Sequence, residues 1–186
     1  MTLRYNPLND PGLMVRPGDL YPINSIKEAP IVRYASACVD EGTRVTAKVY
    51  LVGSLRNPKI PQIAKELRTH SFDVFDDWHC PGPETDEFWQ AYEKDRGRSY
   101  QEALDAPHAW NVFEFDKKHI DRADVVVLVM PAGRSAHLEL GYAKGSGKKA
   151  YVLFEEEPER WDVMYRFADG VAMSVEELIG KLKGKL

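Results

Sequence analysis

The stretch Asp124-Val-Val-Val-Leu-Val-Met130 decides how this chain is read. It is apolar on both faces, with no alternation of polar and apolar positions. A strand at the centre of a parallel sheet, covered by helices on each side, needs that pattern. Before it lies Trp110 to Arg122, with Val112, Phe115, His119 and Ile120 at helical spacing. After it come a helical stretch from Ser135 to Lys144, closed by Gly145 and Gly147, and a further strand over Lys149-Ala-Tyr-Val-Leu-Phe154.

Further out the same alternation continues. Lys48-Val-Tyr-Leu-Val52 is a short apolar run ending in Gly53-Ser54, a buried strand followed by a turn. Pro58 to His70 places Ile60, Ile63, Ala64 and Leu67 on one helical face. Phe72-Asp-Val-Phe75 is a second strand, and Val175 to Leu182 a closing helix with Ser174 as its N-cap. Strands alternating with helices predict an α/β domain over residues 47–186, a parallel sheet with helices on both faces. Two segments stand outside this pattern. Residues 77–108 form a polar and aromatic insertion with one helix over Thr85 to Glu93. Residues 1–46 hold Pro7, Pro11, Pro17, Pro22 and Pro30, five of the chain's twelve prolines. Prolines that dense disfavour helices and central strands, so this part is expected to be an extended N-terminal arm with short strands such as 31–38.

Composition removes several function classes. The chain has 186 residues, 44% hydrophobic and 29% charged, with a net charge of −4. There is no basic excess to bind duplex nucleic acid. No apolar run approaches the ~20 residues of a membrane span, and the opening MTLRYNPLND lacks the apolar core of a secretory signal. A cytoplasmic protein is expected. Cys38 and Cys80 have neither disulfide-framework nor metal spacing and read as reduced thiols. His79, His108, His119 and His137 are scattered, so no metal and no other cofactor is expected.

In a parallel α/β sheet, ligands bind at the carboxyl ends of the strands. Two loops and one helix there carry candidate chemistry. In Gly53-Ser-Leu-Arg-Asn57, Gly53 lets a ligand approach the backbone, and Ser54 and Arg56 offer donors to phosphate or sugar oxygens. In Pro131-Ala-Gly-Arg-Ser-Ala-His-Leu-Glu139, Arg134 and Ser135 stand at a helix start, which favours anions. Glu139 lies in the first turns, where the helix dipole is expected to keep it ionised and able to attack an anomeric carbon. Asp116, between Phe113 and Phe115 and the following lysines, is expected to have a raised pKa and to donate a proton to a leaving base. The plain alternatives are a strand-to-helix turn, a solvated helix glutamate and a surface aspartate paired with lysine. Asp124 reads as structural. Trp78, Phe88, Trp89, Tyr92 and Trp110 either cover a base or form satellite core.

Three of these stretches, in this order, resemble the nucleoside 2-deoxyribosyltransferase family and its 2′-deoxynucleoside 5′-phosphate N-hydrolase branch. They are Val49-Tyr-Leu-Val-Gly-Ser-Leu-Arg56, Asp116-Lys-Lys-His-Ile-Asp-Arg-Ala-Asp124 and Glu139-Leu-Gly-Tyr-Ala143. The resemblance covers roughly residues 48–154. It implies a flavodoxin-like fold, no cofactor, a homo-oligomer, and cleavage of an N-glycosidic bond through a covalent intermediate on Glu139. Asp116 falls on the family's second carboxylate. The substrate-binding set that it implies is Tyr50, Gly53, Ser54, Arg56, Gly133, Arg134 and Ser135. Gly133 stands where transferases acting on free nucleosides usually carry an acid. A cleaved NAD-type nucleotide and a non-catalytic nucleotide-binding module are the competing readings.

Overall fold

The computed structural model describes residues 47–185, so the arm and Cys38 lie outside the described part. Five strands form one all-parallel sheet in the order β2-β1-β3-β4-β5, where β1 is Lys48–Val52, β2 Asp73–Phe75, β3 Val125–Val129, β4 Lys149–Leu153 and β5 Gly170–Ala172. The helices are α1 (Ile60–Thr69), α2 (Thr85–Asp95), α3 (Tyr100–Leu104), α4 (Pro107–Arg122), α5 (Arg134–Gly145) and α6 (Val175–Lys185).

β3 is buried at every position. It pairs with β1 through Val49↔Val125 to Val52↔Leu128 and with β4 through Val125↔Lys149 to Val129↔Leu153. Alternation along the strands sorts their side chains into two layers. Val49, Leu51, Val125, Val127, Val129, Tyr151 and Leu153 meet α1 and α6. Tyr50, Val52, Val126, Leu128 and Val152 meet α4 and α5. α1 buries Ile60, Ile63, Ala64 and Leu67, one stripe at helical spacing. Ile60, Ile63 and Leu67 each contribute roughly 1.5–3 kcal/mol on burial.

At the start of the sheet Asp124 is structural. Its Oδ2 accepts from the Lys48 backbone N–H at 2.8 Å, and its own N–H donates to the Lys48 carbonyl at 2.9 Å. At the other end Gly53 leaves β1 where there is no room for a side chain. A Cβ there would lie 2.9 Å from Ile60 Cδ1 and 3.2 Å from the Val129 carbonyl oxygen. Its missing side chain therefore serves close packing of β1, β3 and α1.

Three elements differ from the sequence reading. β5 was not expected; its three residues, Gly170-Val-Ala172, carry too little pattern to stand out. The insertion holds a second helix, α3, opened by a reciprocal capping box between Ser99 and Glu102. α4 begins at Pro107, three residues before Trp110, with proline in its first turn.

The order β2-β1-β3 means that the chain leaves β1 toward one edge through α1, then returns to the other side of β1 as β3. The loops after β1 and β3 diverge at this switch, which opens a crevice at their carboxyl ends.

Candidate active site

Tyr50 is the third residue of β1 and points into the α4–α5 layer, where its ring stacks on Phe75 at 5.3 Å between centroids. Its hydroxyl donates to Glu139 Oε2 at 3.2 Å. Glu139 comes from α5 and Asp116 from α4, so three separate elements bring one phenol and two carboxyls together. Asp116 Oδ1 is buried and has no hydrogen-bond partner among the described residues.

Burial governs the electrostatics of this cluster. It pushes Glu139 up to about 7, helped by the charge of Asp116 and opposed by the Tyr50 hydrogen bond. It pushes Asp116 up to about 6, again opposed by Tyr50. Burial, then the two carboxylates, raises the Tyr50 hydroxyl above the ordinary tyrosine range. The expected rise at Asp116 is present. The expectation that the helix start keeps Glu139 ionised is corrected: lost hydration and a like charge outweigh the partial charge of the α5 N-terminus. Two such carboxyls titrate as a pair, and between about pH 6 and about 7 the pair holds one proton.

The aromatic setting of Asp116 also differs in detail. Phe115 packs on Phe75 at 5.7 Å and on His119 at 4.8 Å, while Phe113 packs on Trp110 and both are about half exposed. His119 stacks on Phe75 at 3.8 Å, and burial holds its pKa below the usual histidine value. Of the insertion aromatics, Trp78 is partly buried and packs against the core, its indole N–H donating to the Leu51 carbonyl at 2.6 Å. Phe88, Tyr92 and Trp110 are exposed.

The loop after β1 is folded onto itself. Asn57 N–H donates to the Ser54 carbonyl at 2.9 Å, and Ser54 Oγ accepts from the Arg56 N–H at 3.2 Å. Arg56 forms an ion pair with Glu87 of α2, and Lys59 pairs with Glu155 at 3.1 Å. A cavity of about 320 Å³ lies here, lined by Ser54, Arg56, Asn57, Lys59, Pro131 and Ala132. The structure thus joins the loops after β1 and β3 around one opening, as the switch in strand order requires.

Asn57 is a residue the sequence reading missed. It is 4% exposed and holds the loop against β3, with Nδ2 donating to the Met130 carbonyl at 3.4 Å and Oδ1 accepting from the Lys59 N–H at 3.0 Å. Its place just before Pro58, where asparagine favours a turn, was the available signal.

Gly133 is the N-cap of α5, and its carbonyl accepts from His137 Nδ1 at 2.7 Å. Arg134 and Ser135 are exposed, and neither side chain has a hydrogen-bond or ion-pair partner among the described residues. Among the described residues, no side-chain hydrogen bond or ion pair joins these three positions to Tyr50, Glu139 or Asp116. The described residues contain no group of three or more His, Cys, Asp or Glu that could hold a metal, and no helix among them is long and apolar enough to cross a membrane.

No family model matches the chain, and no curated protein matches it. Solved structures do. A conserved protein of Enterococcus faecalis V583 aligns with a TM-score of 0.52 at 11% identity, over 76% of this chain and 99% of its own. A 2-deoxyribosyltransferase from Bacillus psychrosaccharolyticus aligns with a TM-score of 0.50 at 17% identity, over 73% of this chain and 96% of its own. A Clostridium botulinum CMP N-glycosidase aligns at 16% identity with a TM-score of 0.43, over 73% and 98%. At these identities the likeness is one of architecture: the chain shares the parallel α/β fold of the Bacillus 2-deoxyribosyltransferase.

Proposed function

We propose that this protein cleaves the N-glycosidic bond of a nucleoside or nucleoside 5′-monophosphate, with Glu139 as nucleophile and Asp116 as acid and base. The observation that carries the reading is the Tyr50–Glu139–Asp116 cluster: two half-buried carboxyls brought together from α4 and α5, one of them bound by a tyrosine hydroxyl. Its place on a fold shared with a 2-deoxyribosyltransferase supports it.

The cluster has the parts of a retaining two-carboxylate mechanism. The reactive form carries the proton on Asp116, whose carboxyl burial raises to about 6, with Glu139 as the anion that accepts the Tyr50 hydrogen bond. With that proton in place, the like charge that raises Glu139 is gone. The Glu139 carboxylate attacks the anomeric carbon of the sugar. The bond from that carbon to the base nitrogen breaks, and its electron pair stays on the base, which takes the proton from Asp116. The product is a glycosyl ester on Glu139. A water molecule, or the nitrogen of a second base, then attacks the same carbon and gives its proton to Asp116, and Glu139 leaves as carboxylate. Arg56 and Lys59 at the crevice, each now paired with a glutamate, are the groups available to a 5′-phosphate.

The test is base release from a panel of nucleosides and 5′-monophosphates, with and without a free acceptor base, followed by chromatography. Release that is lost in Glu139→Ala supports the reading, and the dependence on acceptor separates hydrolase from transferase. Full activity in Glu139→Ala would falsify the role given to Glu139. Tight nucleotide binding with no turnover of any substrate would make the protein a binding module.

A further inference from the structure

The helix that carries Glu139 is held to the sheet by little apolar packing. Of its twelve residues only Ala136 and Ala143 are buried. Polar contacts supplement them, and they sort by face. His137 and Lys144 stand seven positions apart, two turns along one face. Glu139 is two positions from His137, about 200° round the helix. That second face looks to α4, where the Tyr142 hydroxyl donates to Asp121 Oδ1 at 2.7 Å.

The face of His137 and Lys144 looks to the segment 155–169, which joins β4 to β5. His137 Nε2 lies 3.1 Å from the Tyr165 hydroxyl, and Lys144 Nζ donates to Asp169 Oδ2 at 2.8 Å. Between these two ties the surfaces stand apart. A cavity of about 230 Å³ lies there, lined by Leu140 and Gly141 of α5 and by Met164 and Phe167 of the segment. A void lends no contacts to its walls. At the end of α5 nearer the crevice, the His137–Tyr165 bond is therefore the tie to this segment.

The bond has a direction. His137 Nδ1 faces the Gly133 carbonyl at 2.7 Å, and a carbonyl only accepts, so Nδ1 carries the proton. In the neutral ring Nε2 is then the acceptor and Tyr165 the donor. Burial, then the Asp162 carboxylate, raises the Tyr165 hydroxyl above the ordinary tyrosine range, which keeps it a donor. The Tyr165 ring is seated separately. It packs edge-on against Phe154 at 5.3 Å, and its turn is capped by Asp162 Oδ1, which accepts from the Met164 N–H at 2.9 Å. The same hydroxyl lies 3.8 Å from Met130 Sδ, just past the end of β3. One hydroxyl thus meets the first turn of α5 and the residue at which the chain leaves β3.

We propose that His137 and Tyr165 are positioning residues: their hydrogen bond fixes where the first turns of α5 lie over the sheet, and so sets Glu139 against Tyr50 and the sugar. Neither touches the reacting atoms. The inference rests on the nucleophile's role given to Glu139 above. A reacting group displaced by about 1 Å loses up to about a hundredfold in rate. Substrate binding draws on the rest of the crevice and is affected less.

The experiment is steady-state base release from the substrate that the parent turns over best. Tyr165→Phe keeps the ring and removes the hydroxyl. Its kcat is expected to fall by about tenfold, with KM changed by less than about twofold. His137→Gln, whose side-chain oxygen can still accept from Tyr165, is expected to retain more of kcat than His137→Ala. Adding Tyr165→Phe to His137→Ala is expected to cost nothing further, since both remove the same bond. Leu182→Ala, fully buried in the opposite layer, is the stability control and should leave kcat unchanged. With Glu139→Gln inactive and the parent active, three results overturn the inference and leave the reaction standing. They are an unchanged kcat in Tyr165→Phe, a rise in KM alone, or a fall in kcat that Leu182→Ala reproduces at equal loss of stability. A parent that releases no base from any substrate overturns the role of Glu139 and this inference with it.

Discussion

The two sides of the sheet are built to different ends. On one side α1 and α6 each bury four apolar residues, Ile60, Ile63, Ala64 and Leu67 from the first and Val175, Leu178, Ile179 and Leu182 from the second. On the other side α4 buries only Ile120, and α5 only Ala136 and Ala143. That thinner layer holds Tyr50, Asp116 and Glu139, three polar groups at a cost in hydration, and it leaves Trp110, Phe113 and Leu138 outside. The closed layer supplies stability, and the open layer holds its polar groups against that reserve. Strain or burial at a functional site is commonly sustained in this way by the rest of a fold.

The comparison can be broken or sharpened by substitution, beginning with the largest effect. Glu139→Gln should lower turnover by about a thousandfold or more, the scale for losing a nucleophile, while circular dichroism shows the fold intact. Leu67→Ala, in the closed layer, should lose about 2–5 kcal/mol of stability by denaturant unfolding and keep the turnover of the molecules that remain folded. If the two substitutions exchanged these phenotypes, the division of labour between the layers would be wrong.

Next comes pH. Asp116 and Glu139 are held above the ordinary carboxylate range, so the folded chain keeps protons that the unfolded chain has already released. Their contribution to stability is therefore present at low pH and is lost as pH rises through about 6 and about 7. Glu139→Gln removes its share of that loss and should gain roughly 1–3 kcal/mol at pH 8 relative to the parent, with little gain at pH 4. Equal gains at both values would show that ionisation of the buried pair is not the cause.

The smallest effect is expected at Tyr50. Its hydroxyl lowers both carboxyls, against burial. Tyr50→Phe should move the whole pH–rate profile upward and reduce turnover by about tenfold, the value of one hydrogen bond to a charged group. The parent's profile should be greatest between about 6 and about 7, where the pair holds one proton. A parent profile flat across that interval would remove the pair from the mechanism.

The closed layer and the sheet's centre were legible in the sequence, because periodicity speaks directly about burial. The unbroken run Val125 to Val129 and the stripe Ile60, Ile63, Ala64, Leu67 both lie where they were expected. Asp116 and Glu139 were legible as carboxylates on the helices that flank the central strand. Their meeting across Tyr50 was not, since it depends on how α4 and α5 lie over β1. β5 was lost because three small residues carry no pattern. The engagement of Arg56 by Glu87 joins positions 31 residues apart, one of them inside the insertion, and no local signal announces such a pair. The capping box at Ser99 and Glu102 was readable and was passed over amid the insertion's polar sequence.

The loop after β1 is fastened to the core at both ends, and the residues in between hold only to one another and to α2. A side chain on Gly53 would press on Ile60 and on the Val129 carbonyl, and Asn57 is buried and hydrogen-bonded to β3. Positions 54 to 56 bear no such obligation to the core. For directed evolution this divides the loop into a fixed frame and an interchangeable span. A library randomised at 54, 55 and 56 should return mostly folded protein with altered ligand choice. Randomising 53 or 57 should return mostly protein of lowered stability.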